Sequence, residues 1–174
     1  MINNLKAAFA GLSLLLVLNA CDEQRVFERN IDIKDYAWHK DSVVHLQVPI
    51  EDADIPYNIY YNVRNALSYP AQNLYLQIEI ADTTGTVITS DLNNIELFNR
   101  QTGKPYGEGL GDIFDHQIPV YQEFKFPYPG VYDVRIQHRM RESDRRVMQG
   151  NFLPYIMSVG IRVEKAGAQG EGQQ

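Results

Sequence analysis

The chain has 174 residues, one cysteine and a formal net charge of −6. A lone cysteine excludes an internal disulfide, so stability has to come from burial and backbone pairing. The acidic balance disfavours nonspecific nucleic-acid binding, and no nucleic-acid partner is expected.

Residues 1–20 read as a targeting segment rather than as fold. Lys6 supplies positive charge, and Ala7 to Leu18 is an apolar run interrupted only by Gly11 and Ser13. The run is short for a mature transmembrane helix. It ends in Leu18-Asn19-Ala20-Cys21, a leucine and a small residue ahead of the cysteine, which is the pattern lipoprotein processing recognises. The character then switches at once to Asp22-Glu23-Gln24-Arg25. The expectation is a lipoprotein signal peptide, cleaved before Cys21, with acyl chains, palmitate among them, on the Cys21 sulfur. One acyl chain binds a membrane only marginally, at about 0.8 kcal/mol per buried methylene, so several chains on one residue make a durable tether.

From Cys21 to residue 165 the dominant period is two. Val44 to Ile50, Tyr57 to Arg64, Leu74 to Ile80, Tyr132 to Gln137 and Val159 to Glu164 alternate apolar and polar residues. Alternation puts one face of a strand on a core and the other in water. Weaker strands are expected at Arg25 to Arg29, Val87 to Ser90, Ile95 to Phe98 and Val120 to Phe126. Turn formers separate these runs at Asp52 to Pro56, Ser68 to Gln72, Asp82 to Gly85, Gly103 to Gly111 and Pro127 to Gly130. The pattern predicts one all-β domain over 21–165, an antiparallel β-sandwich, jelly-roll or Ig-like, of about eight or nine short strands. Asp91 to Asn99 and Met140 to Gln149 could each hold a helical turn. The last residues, 166–174, contain only Gly, Gln, Glu and Ala and are expected to be a disordered tail.

No residue pattern selects a reaction, so no enzyme activity, cofactor or metal is expected. Gly107-Glu108-Gly109-Leu110-Gly111-Asp112 lacks the Lys-Ser or Lys-Thr of a phosphate loop, and its glycines read as positions with unusual backbone angles. Asp112, Asp115 and His116 are too few oxygen ligands for a calcium loop and read as a capped turn. His39 and His45 have no third ligand at a zinc spacing. Three features carry a possible interaction surface. Tyr60 and Tyr75 fall on nominally polar strand faces, where they either pack across strands or stack on sugar rings. Arg139, Arg141, Arg145 and Arg146 form the single basic cluster, either a solvated loop balanced by Glu142 and Asp144 or a docking surface for an acidic partner or anionic lipid heads. Met140, Met148, Phe152 and Leu153 could add apolar contact area beside it.

Several runs together resemble the gliding motility lipoprotein GldH family of the Bacteroidota. They are Tyr57 to Asn65 with Tyr69-Pro70 and Asn73-Leu74, Gly107 to Ile113, Pro129-Gly130-Val131-Tyr132, Gln137 to Arg141, and Val159 to Lys165, with Trp38 and Asp41 upstream. The resemblance covers nearly all of the mature chain. One stretch departs from it: an acidic residue in a tighter run belongs before Val159, where Asn151 to Ser158 reads Asn-Phe-Leu-Pro-Tyr-Ile-Met-Ser. The resemblance implies a noncatalytic lipoprotein of the cell envelope, lipid-anchored in the outer membrane, needed for gliding and working beside other gliding and type IX secretion proteins. The alternative reading, from the tyrosine faces, is a lipid-tethered glycan-binding module of the envelope or, less so, a glycan hydrolase.

Overall fold

A computed structural model describes residues 24–141 and 143–167. Cys21, the expected leader and residues 168–174 of the expected tail lie outside the described residues. The chain forms eight long strands and three of three residues each: β1 (Arg25–Asp32), β2 (Ala37–His39), β3 (Val44–Ile50), β4 (Tyr57–Ala66), β5 (Asn73–Ala81), β6 (Val87–Glu96), β7 (Glu108–Leu110), β8 (Ile113–Phe124), β9 (Gly130–His138), β10 (Phe152–Pro154) and β11 (Ile156–Lys165). The described helical structure is one 3-10 turn, Lys34–Tyr36.

The long strands form two open antiparallel sheets, ordered β1-β11-β4-β8-β7 and β3-β9-β5-β6. A small ribbon, β2 with β10, pairs separately. The alternation read from the sequence is the reason for this layout. Tyr57, Ile59, Tyr61 and Val63 of β4 and Val159, Ile161 and Val163 of β11 are buried on one inner face. Leu74, Leu76, Ile78 and Ile80 of β5 and Tyr132, Val134 and Ile136 of β9 are buried on the other. The two faces join in a single core cluster. Each such side chain contributes about 1.5–3 kcal/mol by leaving water. Two tyrosine hydroxyls are satisfied across the sheets: Asn93 of β6 donates to the Tyr61 hydroxyl at 3.1 Å, and the Tyr121 hydroxyl of β8 donates to Asp91 at 2.6 Å.

The sandwich has two distinct ends. At one, the Lys165 N–H donates to the Gln24 carbonyl at 2.8 Å and the Ala166 N–H to the Pro56 carbonyl at 2.9 Å, so the first and last described residues leave together. This end is filled by aromatic rings: Phe126 lies 5.6 Å from Tyr57, 4.9 Å from Phe124 and 4.6 Å from Tyr132, centroid to centroid. At the far end Trp38 packs edge-on against His138 at 5.2 Å, under the β2–β10 ribbon and the loop that follows β9.

Two expected helical turns do not form as helices. Asp91 to Glu96 continues β6, pairing with Ile78 back to Asn73. As an edge strand β6 is mostly exposed, so no alternation of burial marked it in the sequence. Met140 to Gln149 is a loop of turns, held by the Val147 and Met148 N–H groups donating to the Asp144 carbonyl and by the burial of both side chains.

Candidate functional site

The arginine loop grows directly out of β9 at the far end. Arg139, Arg141, Arg145 and Arg146 are all exposed. Arg146 pairs with Asp144 at 3.1 Å, and that contact holds the Asp144 carboxyl below the usual range. Arg139, Arg141 and Arg145 make no side-chain hydrogen bond or ion pair with a described residue, although Arg141 adds to the lowering of Asp144. Tyr75 belongs to the same surface, because its carbonyl accepts from the Arg139 N–H at 2.8 Å and its N–H donates to the Met140 sulfur at 3.3 Å. Of the neighbouring apolar residues, Met148 and Leu153 are buried core, whereas Phe152 stays 44% exposed. Tyr36, Leu67, Tyr106, Leu110 and Tyr155 are also exposed at this end.

Tyr60 does not join that surface. It lies half-buried on the outer face of the five-stranded sheet, in register with Arg162 and Pro119, whereas Tyr75 lies on the outer face of the other sheet. Burial raises the Tyr60 hydroxyl pKa, with Glu164 adding to the effect. The two tyrosines therefore do not line one groove, since the outer faces of the two sheets of a sandwich face opposite directions.

Beside Tyr60 is a feature the sequence reading missed, a groove of about 590 Å³ crossing the outer face of the same sheet. Its floor is a register row running Asn30, Gly160, Asn62, Gln117 over four strands. Ion pairs wall it. Arg64 donates to both Asp115 carboxylate oxygens at 2.7 and 2.9 Å. Glu28 accepts from Asn62 at 2.9 Å and from Arg162 and Arg25 at 3.1 Å each, and Arg162 also pairs with Glu164. The hidden signal was register. Each of these residues reads alone as a water-facing position, and only the order β1-β11-β4-β8 lines them up.

The remaining candidates disperse. Asp115 faces outward to Arg64, while His116, one residue on, points inward and is buried, so strand alternation separates Asp115 from His116. His39 contacts Asp41 at 3.8 Å and His45 contacts Asp133 at 3.6 Å; the two histidines line one pocket with Trp38 and Phe152, each turned to its own carboxylate. No group of three or more His, Cys, Asp or Glu gathers among the described residues. Burial pushes His116 and His138 down to about 4, so both are neutral near pH 7. His138 also bonds the Trp38 carbonyl at 3.2 Å, which makes it a core residue. In the glycine segment only Gly111 has a left-handed φ, +68°. Gly107 and Gly109 are needed instead for close approach, since a Cβ there would stand 2.4 Å from the Asp115 carbonyl oxygen and 2.1 Å from that of Ile113.

The geometry defines a class: a two-sheet antiparallel β-sandwich whose chain ends leave from one end, with a basic loop at the other and a polar groove on its flank. The chain matches the family model for the GldH lipoprotein over residues 25–163 and belongs to that family. It is 32% identical to a protein of Flavobacterium johnsoniae named gliding motility lipoprotein GldH, over 90% of this chain and 96% of that one. A protein of Christiangramia forsetii named as its homolog is also 32% identical, over 92% of this chain and 96% of the other. Among solved structures, a chain from infectious bursal disease virus (Gx strain) is similar at TM-score 0.37 and 12% identity, over 84% of this chain and 32% of that one, too loose a likeness to bear on function.

Proposed function

We propose that this chain is a noncatalytic part of the gliding and type IX secretion machinery, exported, cleaved before Cys21 and held in the outer membrane by lipid on that residue. The observation that carries the reading is its similarity along almost the whole length of two relatives, one of them named for gliding motility and the other as its homolog. The geometry supports a division of labour between the ends. Cys21 precedes the first strand residue, Arg25, by four positions, a reach of at most about 14 Å. The tether end therefore rests on the membrane. The arginine loop stands beyond the length of a strand, roughly 25 Å further out, well past the screening length of about 8 Å at physiological salt. Its cations meet proteins of the machinery rather than the headgroups that hold the tether. The exposed Phe152, Tyr155, Tyr36 and Tyr75 near it are the apolar anchors such a contact needs.

Deletion of the gene in a gliding host tests the role. Loss of spreading and of secreted cargo is the expected result, and a deletion strain that spreads and secretes normally would remove it. The tether has a separate test in Cys21→Ala, which should leave the protein unlipidated and outside the membrane fraction. Retention in that fraction with unchanged mass would mean a different anchor.

A further inference from the structure

We propose that the outer-sheet groove is a binding site for a neutral, polyhydroxylated ligand, a segment of polysaccharide chain. Gly160 sits in the middle of the floor between β1 and β4, where the Arg29 carbonyl oxygen and Asn30 Oδ1, 2.0 and 2.4 Å from the position a Cβ would take, fill the place of a side chain. The floor is therefore closed by backbone and by the amides of Asn30, Asn62 and Gln117. Asn30 and Gln117 are exposed and make no hydrogen bond to a described residue, and Asn62 spends one amide hydrogen on Glu28. Amides carry both donors and acceptors, as hydroxyl groups do, so a row of them matches a chain of sugar hydroxyls.

The charges select against anionic ligands. Both arginines of the wall are already held by carboxylates, Arg64 by Asp115 and Arg162 by Glu28 and Glu164, so an anion would have to break an existing pair. The pairs also fix the walls before any ligand arrives, which lowers the entropy lost on binding. Tyr106, 56% exposed at the rim and tied through its hydroxyl to Asn99 at 3.1 Å, offers a ring face for stacking. The volume, about 590 Å³, falls within the range of about 300–1,000 Å³ typical of small-ligand sites. The site works independently of the tether and of the arginine loop.

The test uses the full mature chain, isotopically labelled, against cellohexaose, laminarihexaose, chitohexaose, mannan oligosaccharides and O-polysaccharide purified from a Bacteroidota envelope. At least one of these should shift the backbone amides of Asn30, Asn62, Gln117 and Gly160. The Asn30→Ala, Gln117→Ala double variant should bind it at least tenfold more weakly, and Tyr75→Ala, on the opposite sheet, should bind as the parent does. Both substituted groove positions are exposed, so the fold should survive; the shift map on the parent chain stands even if it does not. No binding by any of these glycans, unchanged affinity in the double variant, or shifts confined to Tyr75 and the arginine loop would overturn the proposal.

Discussion

At the scale of single residues, the buried histidines make stability depend on pH. His116 and His138 have folded pKa values near 4, against an unfolded value near 6.5. Between those values the unfolded chain binds more protons than the native one, so stability is full above pH 6.5 and falls as the pH drops toward 4. Each histidine contributes on the order of 3 kcal/mol to that fall. Urea melts at pH 7, 5.5 and 4 should show it, and His116→Leu should flatten the curve; equal midpoints at all three values would contradict the burial argument. Asp82 acts in a lower window. Hydrogen bonds from the Thr84 and Tyr128 hydroxyls depress it to about 2, so its contribution is present above about 3.8 and lost only as the pH falls toward 2. Gly160 makes a steric prediction at the same scale. Gly160→Ala forces β1 away from β11 and should cost about 1–3 kcal/mol, read as a lowered melting temperature. A variant that melts with the parent would show that the strands move apart freely.

At the scale of elements, the sequence was legible wherever one strand face met the core and the other met water. Val44–Ile50 was read with its observed bounds, and β4, β5, β9 and β11 were each found within a few residues. The failures have physical causes. Asp91 to Glu96 runs along an open, mostly exposed edge and carries little alternation, and the inward positions at the start of β8 include His116, a polar residue that hides the alternation. The ribbon of β2 and β10 was invisible because each half is three residues long and its pairing spans more than a hundred positions. That ribbon also shapes the stretch before Val159. Phe152–Pro154 turns aside to pair with Ala37–His39, and Tyr155, at φ +66°, redirects the chain into β11. The arginine loop was legible as composition, and its place above a buried Val147 and Met148 was not. Because those two side chains hold the loop and Arg139, Arg141 and Arg145 do not, its two parts should separate by mutation. Met148→Ala should cost about 2–5 kcal/mol. Replacing Arg139, Arg141 and Arg145 by alanine together should leave the melting temperature within a degree or two and still abolish spreading in a complemented gliding host. Normal spreading of the triple variant would take the loop out of the docking surface.

At the scale of the whole molecule, the proposed tether would set an orientation. Both ends of the described segment leave beside Pro56, Tyr57 and the Phe126 ring cluster, and the reach from Cys21 to Arg25 is shorter than the sandwich is long. With lipid on Cys21, as proposed, a domain held so close could not turn over without stretching its tether, and the loops at 51–54 and 127–130 would face lipid while those at 34–43 and 143–151 would face away. The groove lies on the flank between them, where a chain running parallel to the membrane could reach it. Spin-labelled phosphatidylcholine in nanodiscs carrying the lipidated protein distinguishes the two ends. Signals of Ala53 and Tyr128 should broaden strongly, while those of Tyr36 and Arg145 should not. A ten-residue Gly-Ser insertion after Glu23 should keep the protein in the membrane yet erase that difference, because the tether at full extension would then exceed the length of a strand. Equal broadening at both ends of the uninserted protein would mean that the sandwich tumbles freely, and the far end would lose its claim to be the face presented to other envelope proteins.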